Sequence, residues 1–162
     1  MIFREATVND IDNYMIVRMA VTENVLNNPA LVPREDNVDY LTKYGKGWVC
    51  EIDGQIIGFS IVGLVQRNVW ALFVTPAFEG QGIGGKLHDI MMDWYFAQTA
   101  GTIWLGTGLN TRAVTFYRNR GWMDNGLHGD DEIKFEMTHD AWLKHRVRKI
   151  KFYNGLSIHP VN

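Results

Sequence analysis

The residues best suited to chemistry lie between Leu72 and Leu87, in the run Leu-Phe-Val-Thr-Pro-Ala-Phe-Glu-Gly-Gln-Gly-Ile-Gly-Gly-Lys-Leu. It reads as an apolar strand, a proline-marked turn, a glycine-rich loop and an amphipathic helix. Gly80, Gly82, Gly84 and Gly85 stand where that helix should begin. The first N–H groups of a helix have no intrahelical acceptor and carry the positive end of its dipole. Glycines let the backbone come close to a ligand, so the stretch is expected to cradle a phosphate.

Three glycine-loop readings compete, and the neighbouring residues separate them. Gly80-x-Gly82-x-x-Gly85 matches the dinucleotide fingerprint in form, but Thr75 to Glu79 intervene after the strand and the next strand ends at Thr107-Gly108, not at an acidic residue. Gly80-x-x-x-x-Gly85-Lys86 matches most of a P-loop, yet Leu87 stands where a hydroxyl should hold magnesium. In the third reading, Val74-Thr-Pro76 precedes Gln81-Gly82-Ile83-Gly84. About 25 residues after the loop comes Asn110-Thr-Arg-Ala113-Val-Thr-Phe116-Tyr117-Arg-Asn-Arg-Gly121-Trp122. Together these blocks resemble the GNAT superfamily of N-acetyltransferases, over most of the chain from Ile2 to about Met137. The departure is Glu79, which occupies a position usually held by Arg or Gln; its carboxylate is expected to turn to solvent while its backbone still serves.

The resemblance implies acetyl-CoA as acetyl donor and direct transfer to a primary amine, in a small molecule or peptide, within a ternary complex. It places the pyrophosphate on backbone N–H groups of Gln81, Gly82, Ile83, Gly84 and Gly85. The strand at Phe73 and Val74 would pair with the pantetheine amides, and one of its N–H groups would polarise the thioester carbonyl. Asn110 would bond the cofactor chain, cap the next helix, or both. Tyr117 is the candidate general acid for the leaving thiolate, against a plain core role beside Phe116. Glu23 and Trp70 are the candidates on the acceptor side, with Asp130-Asp131-Glu132 able to attract a cationic amine or simply to be solvated. The general base is not legible. The five histidines are scattered without metal-ligand spacing, so no metal is expected.

The elements that must position these groups follow from periodicity. Ile11, Tyr14, Val17, Val21 and Val25 predict a first helix capped at Asn9 or Asp10, broken by Pro29 and Pro33, and Val38, Leu41 and Tyr44 a short second one. Trp48–Ile52, the Asp53-Gly54 turn, Ile56–Val65 and Val69–Thr75 form a predicted meander. The glycine-loop helix presents Leu87, Ile90, Met91, Trp94 and Ala97 on one face. A strand at Thr102–Gly106, a helix at Thr111–Arg120 and a hairpin of Trp122–Leu127 with Ile133–Met137 follow; Phe3–Thr7 adds an early strand. The expected fold is α+β: a central, mostly antiparallel sheet of about seven strands with helices on both faces.

At 162 residues and 46% apolar the chain suits one domain, 1–138, with an extension at 139–162. Leu143, Val147 and Ile150 make that extension helical, ending at Asn154-Gly155 and docked on the domain or a dimer mate. A net charge of -2 and an unremarkable N-terminus point away from membrane, nucleic acid and export, hence to the cytoplasm. Cys50 alone excludes an internal disulfide. Two other functions stay open: a non-catalytic acyl-CoA-binding regulatory module, and an adaptor working through its basic tail, where Lys144 to Lys151 could also meet a homodimer partner or RNA.

Overall fold

In the computed structural model, which describes residues 1–153, the sheet runs β1 (Ile2–Glu5), β2 (Gly45–Ile52), β3 (Gln55–Gly63), β4 (Asn68–Val74), β5 (Ile103–Gly108), β7 (Glu132–Met137), β6 (Met123–His128). Asp53 and Gly54 join β2 to β3 with φ of 51° and 77°, the positive values a two-residue hairpin turn needs. Every neighbouring pair is antiparallel except β4 and β5. That parallel pair meets at one register position, Asn68 with Trp104, supported by the Trp104 N–H donating to the Arg67 carbonyl at 3.0 Å. Ahead of the divergence lies a bulge: Ile61 pairs with Ala71 and Val62 with Val69, leaving Trp70 extra on β4. A bulge bends its strand and raises its twist, so β4 leaves β5 and a gap opens toward their C-terminal ends.

Apolar side chains fill both faces of the sheet. α1 (Ile11–Ala20) and α2 (Arg34–Asp39) lie on one face, with Tyr14 and Val17 against Val49, Phe59 and Ile61. α3 (Ile83–Gln98), α4 (Arg112–Asn119) and α5 (His139–Tyr153) lie on the other, with Leu87, Met91, Tyr117 and Trp142 against Trp48, Ile57 and Phe135. Gly58 admits α3 closely, since a Cβ there would stand 3.2 Å from Leu87 and 3.3 Å from Ile83.

Three details depart from the periodicity. α1 stops at Ala20, before Val21 and Val25. The chain instead turns at Asn24 (φ 52°), whose side chain accepts from the Gly108 N–H at 2.8 Å and donates to Thr107 Oγ1 at 3.1 Å. These contacts to β5 outweigh continued helix. The buried face of α3 runs through Leu87, Met91 and Tyr95 with His88, Met92 and Phe96, while Ala97 is exposed and Ile90 and Trp94 only half-buried. After α2 the chain makes a π-helical turn, Tyr40–Tyr44. Trp142 anchors α5: it is 2% exposed and its Nε1–H donates to Asp93 at 3.1 Å. The Asn154-Gly155 stop lies outside the described residues. Among those residues no helix is long and apolar enough to cross a membrane.

Candidate active site

The gap exposes the backbone of one strand only at alternate residues. The Thr75 N–H donates to the Ile57 carbonyl at 2.8 Å, and Phe73 is in register with Phe59. Backbone groups alternate along a strand, so those of Phe73 and Thr75 face β3 while those of Leu72 and Val74 face the gap. Of the expected pair, Val74 therefore presents its backbone groups to the gap; Phe73 does not, and Leu72 does.

At the end of β4 the glycine loop leads into α3. Gly80 and Gly82 have φ of 75° and 81°, and a Cβ on either would meet nothing, so glycine is required there by conformation alone. The Lys86 N–H is the first to find a helix acceptor, the Gly82 carbonyl at 3.1 Å. The N–H groups of Ile83, Gly84 and Gly85 have no backbone acceptor among the described residues and point out of the helix start. Gln81, Ile83, Gly84 and Gly85 differ in what their faces do. Gln81 is exposed, and the Ile83 side chain is 2% exposed in the core. A Cβ on Gly84 would touch Val74 at 3.6 Å and Phe116 at 4.0 Å, whereas a Cβ on Gly85 would overlap the Arg120 guanidinium. Gly85 is thus also a packing glycine.

A cavity of about 210 Å³ lies beside this helix start, bounded by Leu72, Val74, Gly84, Ala113, Phe116 and Tyr117. Its mouth is strapped by charge. Glu79 does not turn to solvent; its Oε2 pairs with Arg112 Nη2 at 2.7 Å. Glu23 holds the other side of Arg112, accepting from its backbone N–H at 3.0 Å and standing 3.5 Å from its Nε. Glu23, expected on the acceptor side, lies at the mouth of this cavity.

Tyr117 sits where this cavity meets a second one. It is 7% exposed, and among the described residues its hydroxyl makes no hydrogen bond. Burial pushes the phenol well above its ordinary pKa, with Arg120 opposing weakly, so it stays protonated at neutral pH. Asn110 adopts φ 61° with an exposed side chain, and the N-cap of α4 falls on Thr111, whose hydroxyl donates to the Gly108 carbonyl at 2.9 Å. The N-cap expected at Asn110 thus falls one residue later, and the first helical N–H, that of Arg112, is met by Glu23 and not by a capping side chain.

The second cavity, also about 210 Å³, shares Asn24, Leu72, Phe73, Ala113 and Tyr117 with the first. Trp70 lines it, its ring stacked on Tyr40 with centroids 4.1 Å apart. Arg18 and Glu132 line it too, while Asp130 and Asp131 are exposed. Sequence reasoning missed Arg18, Asn24 and Arg112. The only signal was Arg18 itself, a cation next to Val17 on the edge of the apolar stripe of α1. Among the described residues no cluster of His, Cys, Asp and Glu has the makings of a metal site.

The model of the acetyltransferase (GNAT) family matches residues 16–122. An uncharacterized N-acetyltransferase of Archaeoglobus fulgidus is 28% identical over 133 residues, covering 72% of this chain and 89% of that protein. Among solved structures, the PaiA N-acetyltransferase of Thermoplasma acidophilum, in complex with coenzyme A, superposes with a TM-score of 0.75 at 12% identity, covering 85% of this chain and 98% of its own. An acetyltransferase of Bacillus anthracis in complex with acetyl coenzyme A gives 0.64 at 19% identity, covering 85% and 98%.

Proposed function

The chain belongs to the GNAT family of acetyltransferases, and from that premise we propose that it moves an acetyl group from acetyl-CoA to a primary amine, both substrates bound at once in the gap between β4 and β5. One observation carries the reading: two cavities, one beside a free helix N-terminus and one beside Trp70, join at Tyr117.

The residues present fit such a donor. The N–H groups of Ile83, Gly84 and Gly85 would take the pyrophosphate. Each charge-assisted bond of this kind is worth roughly 1.5–3 kcal/mol, so a few reach micromolar affinity. Leu72 and Val74 would pair with the pantetheine amides as an added strand, and an N–H of β4 would polarise the thioester carbonyl. Acetyl-CoA supplies an acetyl group activated as a thioester. The amine, having lost one proton, forms the new C–N bond as the C–S bond breaks. Tyr117 gives its proton to the departing sulfur, and the remaining excess proton on nitrogen returns through water to the phenol. Burial keeps the phenol protonated but also makes it a weaker acid, so donation depends on the thiolate developing in the same water-poor cavity, where its own basicity is raised.

Calorimetric titration with acetyl-CoA, followed by thiol release against an amine panel, tests the reading. Micromolar binding with turnover supports it; failure to bind acetyl-CoA overturns it. Tyr117→Phe should lower kcat by about 100-fold, the low end of general-acid effects, with acetyl-CoA affinity nearly unchanged. Activity within a few-fold of the parent would remove Tyr117 from the role.

A further inference from the structure

Arg18 reaches from α1 to the β4 side of the second cavity, its guanidinium 4.2 Å from the centroid of the Phe73 ring. Nη1 is shut away from solvent and has no hydrogen-bond partner among the described residues. Burial lowers the pKa of this guanidinium from its ordinary value, yet an arginine remains a cation in a protein. A buried, charged donor without an acceptor is rare in native proteins, and here it leaves the positive charge of Arg18 unneutralised by any group among the described residues. Contact with the face of the Phe73 ring holds the group at the cavity wall, where its outer N–H groups can receive a planar anion.

The opposite bank carries the opposite charge. Glu132, at the start of β7, lays its carboxylate over β5, with Oε2 3.3 Å from where a Cβ on Gly106 would stand. Lys134, the next cation along the strand, pairs with Glu136 at 3.6 Å and leaves Glu132 to the cavity. A free cation on the β4 bank and a carboxylate on the β5 bank thus face one small cavity that opens to the donor side at Tyr117.

We propose that this cavity selects a zwitterionic acceptor, a small amine that also carries a carboxylate, as a free amino acid does. The acceptor carboxylate binds the edge of Arg18, and its ammonium faces Glu132, which can draw off the first proton through water before the nitrogen attacks. An acceptor with cationic groups alone would set one of them against Arg18. Trp70 and Phe73 provide apolar wall for a side chain. The inference rests on the acetyl-transfer reading and adds the acceptor class to it.

The test compares matched pairs of acceptors, each an amino acid and the amine lacking its carboxylate: methionine with 3-(methylthio)propylamine, phenylalanine with phenethylamine, lysine with cadaverine. Acetyl-CoA affinity is measured alongside on every variant. The parent protein should favour the carboxylate member by 10- to 100-fold in kcat/KM, the range expected for a hydrogen-bonded charge. Arg18→Met should erase that ratio, and Arg18→Glu should turn it toward cadaverine, both with acetyl-CoA affinity unchanged. Equal or reversed preference in the parent overturns the proposal, as does a ratio that survives Arg18→Met. Acetyl-CoA binding with no turnover of any pair overturns the acceptor class alone, whereas loss of acetyl-CoA binding in the parent overturns the acetyl-transfer reading beneath it.

Discussion

Acidifying the protein from pH 7.5 to pH 5 should cost it stability through one buried imidazole. His88 on α3 has no exposed surface. The Trp122 Nε1–H donates to its Nε2 at 2.9 Å, and an indole can only donate, so Nε2 must carry a lone pair. The proton is therefore on Nδ1, which donates to Asp89 at 3.2 Å. A second proton would have to enter at Nε2, against the indole N–H. Burial drives the pKa from 6.5 to about 4, with Asp89 only partly opposing it. A group whose folded pKa is lowered in this way contributes full stability above the unfolded value near 6.5, and that contribution falls away as pH drops toward 4. With these two values the linkage relation gives a loss of about 2 kcal/mol at pH 5 and about 3 kcal/mol in full. His145, also lowered by burial, acts in the same direction. Urea unfolding followed by tryptophan fluorescence at the two pH values reads the change, and His88→Gln should be less stable at pH 7.5 but lose most of the pH dependence. An imidazole that titrates near 6.5 by NMR, or a parent protein equally stable at both pH values, would refute the argument.

Two further outcomes test the donor side. Gly82→Ala meets no atom but places an L-residue at φ 81°, costing about 1–2 kcal/mol of backbone strain. Acetyl-CoA Kd should rise by about 5- to 30-fold with kcat little changed, as read by calorimetry and kinetics, whereas Gly84→Ala, with ordinary contacts, should perturb folding little; equal effects from the two would contradict the loop geometry. Glu79→Gln removes the carboxylate that holds Arg112 and frees that cation for phosphate, so acetyl-CoA should bind about two- to fivefold tighter at low salt, less so at high salt. Weaker binding would show that the Glu79–Arg112 strap organises the loop instead of competing with the ligand.

The order of elements, the family and the glycine loop that opens α3 were legible in the sequence because each depends on near neighbours. Positive φ at Gly80 and Gly82, the apolar strand before them, and the Asn-x-x-Ala-x-x-Phe-Tyr block are local patterns that no distant contact needs to complete. What the tertiary structure alone decided is which groups face one another across the gap. The backbone that faces the gap is that of Leu72 and Val74, because the pairing of Phe73 with Phe59 sets the phase of β4. α1 ends early because Asn24 bonds to β5, 83 and 84 residues away, and no periodicity encodes such a contact. Glu79 finds Arg112, and Arg18 comes to face Glu132, only once the Trp70 bulge has parted β4 from β5. Side-chain type is written in the chain; which face of α3 is buried and which charges pair depend on three-dimensional distance, which folding alone supplies.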